Sequence, residues 1–180
     1  MSRPAPTKIP PRVFRDSVGE FATGVTVVIA ERDGEAAGMT LNSFTSVSLD
    51  PLLVLVSLGH GSRTLRAIHA SGRFTVNVLA RHQREVAVDF AAVGAPFPAE
   101  HATRTHDGFL VVADAAATHQ CIVQEVIRAG DHDLVLGLVV GITHRGGEPL
   151  VFHRGRFGGL VADAAVPPGH PIALIEGAGW

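Results

Sequence analysis

Between Gly38 and Ser48 the chain reads Gly-Met-Thr-Leu-Asn-Ser-Phe-Thr-Ser-Val-Ser, with five hydroxyl side chains and one amide among apolar neighbours. Such a run is rich in neutral donors and acceptors. It suits a flat apolar ring with one polar edge, which needs backbone amides and small polar side chains rather than strong charges. It equally suits an edge strand that turns Ser and Thr to water. A second group, Ser57 followed by Gly59-His60-Gly61-Ser62-Arg63-Thr64, stands at a predicted helix start. Free amides, hydroxyls and an Arg there make a phosphate seat. The other reading is an ordinary cap with a solvated Arg. A third group pairs the turn Gly130-Asp131-His132 with His153-Arg154-Gly155-Arg156-Phe157. A turn His can donate to a bound group near neutral pH, and paired arginines can hold a pyrophosphate. A hairpin cap and a solvated basic loop are the alternatives.

Several chemistries are excluded. No G-x-G-x-x-G follows the first strand and no Walker-type lysine loop occurs, so the chain is not a parallel dinucleotide-binding sheet. The other histidines form no zinc box; Glu100-His101 and His106-Asp107 are the nearest approach, and no metal is expected. There is no nucleophile elbow, and Cys121, in an apolar run, reads as inert packing. With 15 basic against 17 acidic side chains there is no global field to attract nucleic acid or an anionic membrane. No apolar run approaches the ~18 residues of a membrane span. A lone cysteine and the start Met1-Ser2-Arg3-Pro4, which lacks a signal-peptide run, place the expected site of action in the cytoplasm.

The elements that must position these groups follow from pattern. Residues 1–11, rich in proline, read as a flexible arm, 12–162 as one domain, and 163–180 as an apolar extension that docks on its own body or on a second subunit. Phe14, Val18, Phe21 and Ala22 share a helical face that predicts a first helix ending at Gly24 and covering one opening of a sheet. The β-branched run 25–30, the turn Asp33-Gly34 and the run 36–42 predict a hairpin. Phe44 to Leu49 and Leu52 to Leu58, divided by Asp50-Pro51, predict a second pair whose latter strand is buried. Ser62 and Gly72 bound a helix over 63–71. Residues 73–80 alternate as a half-buried strand, 82–91 as a third helix, and 92–108 as a surface excursion. Two long strands, 117–128 and 133–143, meet at Gly130-Asp131-His132. In the latter Leu134, Leu136, Leu138, Val140 and Ile142 share one face, with Gly137 and Gly141 on the other, spaced for tight curvature or close backbone approach. Some seven short strands, three short helices and no strand-helix alternation indicate a mostly β fold, a closed antiparallel barrel.

Taken in order, these segments resemble the short flavin reductases that supply two-component monooxygenases. The likeness rests on Phe14-Arg15, Phe21 to Val28, Gly38 to Leu58, Ser62 to Leu65, Ser71-Gly72-Arg73-Phe74 with Val76 to Leu79, Gly130-Asp131-His132 and Pro149 to Phe157, in register over about residues 12–160. It implies an FMN-binding split β-barrel of antiparallel, Greek-key-like strands with a few short flanking helices. It also implies a homodimer with FMN or FAD bound non-covalently near the interface. NADH or NADPH would be the co-substrate, and reduced flavin would pass by diffusion to a flavin-dependent monooxygenase. By that resemblance Thr40, Leu41, Asn42, Ser43, Ser46, Val47 and Ser48 hold the ring. Ser57, Ser62, Arg63 and Thr64 meet the ribityl chain and phosphate. His132 is the catalytic residue beside the nicotinamide, with Arg154, Arg156 and Phe157 near the nucleotide entrance. Members often carry Tyr where this chain has Phe152 and Phe157, and a double proline where it has Pro51-Leu52. An electron carrier without a nucleotide site, and a flavin enzyme acting on its own organic substrate, are the alternatives within the fold.

Overall fold

The computed structural model describes residues 9–161, so residues 1–8 of the proline-rich arm and the apolar extension from 163 lie outside the described residues, and the arm's last residue, Pro11, already belongs to the first helix. Its elements are α1 (Pro11–Val18), β1 (Thr23–Gly24), β2 (Thr26–Arg32), β3 (Glu35–Leu41), β4 (Thr45–Leu49), β5 (Leu52–Gly59), α2 (Arg63–Ser71) and β6 (Arg73–Val78). There follow α3 (Arg84–Ala91), β7 (Ala102–Arg104), β8 (Leu110–Val112), β9 (Ala117–Ala129), β10 (His132–His144), β11 (Val151–His153) and β12 (Arg156–Gly158). Seven strands form one antiparallel sheet in the order β3-β2-β6-β9-β10-β5-β4. Its edge strands, β3 and β4, are consecutive in the chain and joined by only residues 42–44, so the sheet must curl back on itself. The result is a barrel with a seam between β3 and β4, the split barrel that the resemblance implied rather than the fully closed barrel read from the strand pattern.

Three hairpins carry most of the sheet. β2 and β3 turn at Asp33 and Gly34, both at positive φ (51° and 84°), as a two-residue hairpin turn requires. β4 and β5 turn at Asp50-Pro51, and β9 and β10 at Gly130-Asp131. The crossover from β5 to β6 runs through α2, whose Leu65, Ala67 and Ile68 pack on the barrel interior of Val28, Val54, Val56, Leu58, Phe74, Val76 and Val135. Ser62 caps α2 by accepting from the Leu65 amide at 3.2 Å, and Gly72 ends it in the left-handed conformation at φ 66°.

A second cluster lies outside the barrel wall, where Val25, Val27 and Ile29 meet Leu79, Ala87 and Phe90 of the α3 region, Val112 and Leu150. It explains two departures from the sequence reading. β6 is buried from Phe74 to Asn77 rather than on one face, because both layers cover it. β5 instead alternates: Val54, Val56 and Leu58 are buried, whereas Leu53, Leu55 and Ser57 are half-buried on its outer face.

Two more expectations are corrected. The first helix stops at Val18, capped by Gly19, and buries none of its residues; Phe14 and Phe21 are 61% and 76% exposed, so it covers no sheet opening in this chain. On β10 the core face is that of Val135 and Gly137, while the leucine face points outward. The spacing of Gly137 does report close approach: a Cβ there would lie 2.6 Å from Phe74 Cζ and 2.9 Å from Cys121 Cβ. No helix among the described residues is long and apolar enough to cross a membrane.

Candidate functional site

The first two sequence groups meet in one groove. Gly38, Met39 and Thr40 of β3 form one wall, Gly61 to Thr64 at the start of α2 another, and Phe90 to Gly94, from the last turn of α3 onward, the third, around about 410 Å³. Three contacts hold the walls together. A Cβ at Gly38 would lie 2.6 Å from Phe90 Cε1, so only glycine lets the Phe90 ring sit this close to β3. Thr40 Oγ1 donates to the Ala87 carbonyl at 2.7 Å. The Ser62 hydroxyl, besides capping α2, donates to Met39 Sδ at 3.2 Å. Arg63 donates to the Ala95 carbonyl, and the Thr64 side chain is buried beneath. The Phe90–Gly94 wall is the part that the sequence reading missed. Its signal was a glycine within a strand opposite an aromatic at a helix end.

The rest of the 40–48 segment crosses the barrel seam. The Ser43 hydroxyl donates to the Ser57 carbonyl and accepts from the Ser57 amide, both at 3.0 Å, so it clamps the seam instead of standing free. Leu41 faces the core, with its carbonyl accepting from Thr26 Oγ1 at 3.0 Å; its side chain belongs to packing rather than to a ring contact. Asn42, Ser46 and Val47 are exposed, Ser48 is half-buried and accepts from the Asp50 amide at 3.2 Å, and a bulge falls between Ser46 and Ser48. Bulges re-aim side chains beside functional sites. Phe44 stacks 5.5 Å from the His119 ring, whose pKa burial lowers, partly offset by a hydrogen bond with the Val76 backbone.

His132 opens β10 opposite Gly59, and the His60 amide donates to the Asp131 carbonyl at 3.1 Å, so the histidine turn lies against the glycine turn before α2. Asp131 holds the half-exposed His132 ring by Nδ1 at 2.8 Å, leaving Nε2 free to contact a ligand. That hydrogen bond, with one to the backbone and the charge of His132, keeps the Asp131 carboxyl below its ordinary pKa. The third group is not gathered here. Arg154, Arg156 and Phe157 belong to the small sheet β1-β11-β12. There Glu20 takes the Arg154 guanidinium through both Nε (2.9 Å) and Nη2 (2.6 Å), and the Phe157 ring packs 5.5 Å from Phe152. Arg84, at the start of α3, lies 5.9 Å over the Phe157 ring and connects that sheet to the groove's third wall. Asp89, Glu100 and His101 are close enough to share a cation, and within the trio His101 Nε2 is hydrogen-bonded with Asp89 Oδ2 at 2.8 Å.

Residues 18–160 match the family described as flavin reductase like domain. The chain belongs to this family. A probable flavin reductase of Rhizobium meliloti is 42% identical over 163 residues, which is 87% of this chain; the chain spans about half, 52%, of that relative's length. The flavin-dependent monooxygenase reductase subunit HsaB of Mycobacterium tuberculosis is 35% identical over 167 residues, covering 89% of this chain and 88% of that protein. The solved NADH:FAD oxidoreductase SgcE6 of Streptomyces globisporus, in complex with NAD and FAD fragments, superposes with a TM-score of 0.80 at 36% identity. The match covers 86% of this chain and 96% of that one. In this member of the family the groove-forming segments Gly38 to Thr40 and Gly61 to Thr64 both lie inside the family match.

The Phe44–His119 stack carries a pH dependence. Because the folded pKa of His119 is lowered, the unfolded chain binds the extra proton more readily. The stability this costs is absent above the unfolded value of about 6.5 and grows as pH falls below it. Melting temperature is therefore expected to drop between about pH 7.5 and pH 5.5, and less steeply in His119→Phe, which keeps the stack without the titrating ring. Equal slopes in wild type and variant would show that His119 is not buried neutral.

Proposed function

We propose that this chain reduces FMN or FAD with a hydride from NADH or NADPH and releases the reduced flavin to a partner flavin-dependent monooxygenase. The observation that carries the reading is the meeting of Gly38 to Thr40 and the capped helix start Gly61 to Thr64 on one groove, with the His132 turn lying against the neighbouring Gly59 turn. A bound flavin supplies the hydride-accepting chemistry. The chain's own groups do the rest. Backbone amides and the short side chains of residues 40–48 meet the ring's polar edge without imposing a full charge. Ser62, Arg63, Thr64 and the free amides of the first turn of α2 take the phosphate, with Ser57 beside the ribityl chain. His132, aimed by Asp131, offers Nε2 for a hydrogen bond with the nicotinamide nucleotide and helps to hold it at near-attack distance.

The nucleotide entrance is assigned to Arg156 and the Phe157 ring. Arg154 also braces the small sheet on Glu20, which takes its Nε and Nη2. Phe152 and Phe157, which carry no hydroxyl, offer stacking alone. A cytoplasmic place of action belongs to the same proposal, supported by the nicotinamide reductant and by a buried, unpaired Cys121.

A homodimer is part of the reading. Leu53, Leu55, Leu134, Leu136 and Leu138 are half-buried neighbours on the outer sheet face, flanked by Ile122 at 47% exposure. A contiguous apolar face of this kind marks an interface. Sedimentation at micromolar protein is expected to give twice the 18.9 kDa chain mass. A flavin-loaded monomer would contradict it.

Turnover tests the activity itself. Purified protein with NADH and excess free FMN under air should oxidise many equivalents of NADH. Bleaching of one bound equivalent without turnover would instead identify an electron carrier. His132→Ala is expected to lower kcat/KM for the nucleotide about tenfold, the scale of one lost contact of ~1.4 kcal/mol, with the FMN Kd changed less than about threefold. Wild-type nucleotide kinetics in that variant would remove His132 from the site.

A further inference from the structure

Arg63, Arg66 and His69 stand at i, i+3 and i+6 on α2, so they form one exposed stripe along the helix. Arg63 borders the groove already described. The other two border a second groove of about 390 Å³, with His60, Val126, Arg128 and Asp133. The grooves share a rim at the turn before α2: Gly61 lines the first, and its carbonyl accepts from Arg66 Nη1 at 3.1 Å.

The second groove is cationic despite its carboxylate. Asp133 Oδ1 is engaged by His60 Nε2 at 2.8 Å and Oδ2 by His69 Nε2 at 3.1 Å. Burial pushes the Asp133 carboxyl up, but the hydrogen bonds from His69 and His60 and their charge together outweigh it and leave the group below its ordinary pKa. With both oxygens occupied by histidine donors, this carboxylate offers an incoming anion little repulsion. Arg66 and Arg128 then supply cationic forks, and Leu65 with half-buried Val126 supplies an apolar floor. Paired guanidinium groups beside an apolar floor, in a space of small-ligand size, suit a nucleotide with its phosphate.

We propose that this second groove binds the adenylyl half of FAD, while the first holds the flavin and its proximal phosphate, so that the enzyme selects FAD over FMN. The inference rests on the flavin reading above and adds to it the identity of the preferred flavin. The pyrophosphate would cross the shared rim at Gly61, passing from Arg63 toward Arg66 and Arg128.

Quenching of flavin fluorescence on the full chain tests this with riboflavin, FMN and FAD as probes. Wild type is expected to bind FAD about tenfold more tightly than FMN. Arg128→Gln should remove about that factor for FAD and leave FMN within about twofold, the scale of one lost charge-assisted contact. Arg66→Gln provides a second distal variant should Arg128→Gln fold poorly, and Arg63→Gln should weaken FMN and FAD together. Equal affinities of wild type for the two flavins, or unchanged FAD affinity in folded distal variants, would overturn the proposal while leaving the flavin site intact. Failure of wild type to bind any of the three probes would overturn the flavin reading and this inference with it.

Discussion

The structure depends on one buried amide. Asn77, with no exposed surface, sits on β6 where both faces of the strand are covered. Its Nδ2 donates to the Val27 carbonyl at 3.0 Å and to Thr75 Oγ1 at 3.1 Å; its Oδ1 accepts from the Val112 amide at 3.0 Å and from Thr118 Oγ1 at 3.2 Å. One side chain thus ties β2, β6, β8 and β9. Satisfied in this way, the amide costs little, whereas a register slip would bury it unpaired at about 1–3 kcal/mol and turn every neighbouring side chain to the wrong face. The pairing of β2 with β6 is therefore fixed, and β3 is fixed by its hairpin to β2.

From that register the groove follows. Val28 on β2 pairs with Met39 on β3, and Val27 with Thr40, which places Gly38 and Thr40 opposite α3 and Met39 toward Ser62. The polar groups that the sequence displays as a flavin-like surface are partly spent in building it: Thr40 on Ala87, Ser43 on Ser57, Ser62 on Leu65 and Met39. What remains for a ligand is the backbone of a bulged segment, the first turn of α2 and the imidazole of His132. A rigid frame presenting few free donors is the arrangement expected of a site that must hold a cofactor and also release it.

Much of this was legible in the residues because the signals are local. Asp33-Gly34, Ser62 with Gly72, and Gly130-Asp131 each name their turn or cap, and period-two apolar runs name the strands. The Asp131–His132 contact is likewise between neighbours. The parts that sequence did not reveal depend on what covers an element. β6 alternates in hydropathy yet is buried on both faces because a polar residue, Asn77, finds four partners supplied from 35 to 50 residues away along the chain, apart from its neighbour Thr75. Phe14, Val18 and Phe21 carry a helical period, but Gly19 ends the helix before the pattern does, and Glu20 turns away to grip Arg154. The Phe90–Gly94 wall spans the end of the third helix and the start of the excursion after it, and no local rule says which strand that junction will meet.

The location of the flavin is tested most directly by hydrogen exchange read peptide by peptide. Adding saturating FMN to the full chain should slow backbone amide exchange in residues 40–48 and 59–65, the bulged segment and the start of α2. The β7–β8 hairpin, which borders neither, should be unchanged. Protection confined to β7–β8 or to the β11–β12 hairpin, with residues 40–48 and 59–65 unaffected, would contradict it.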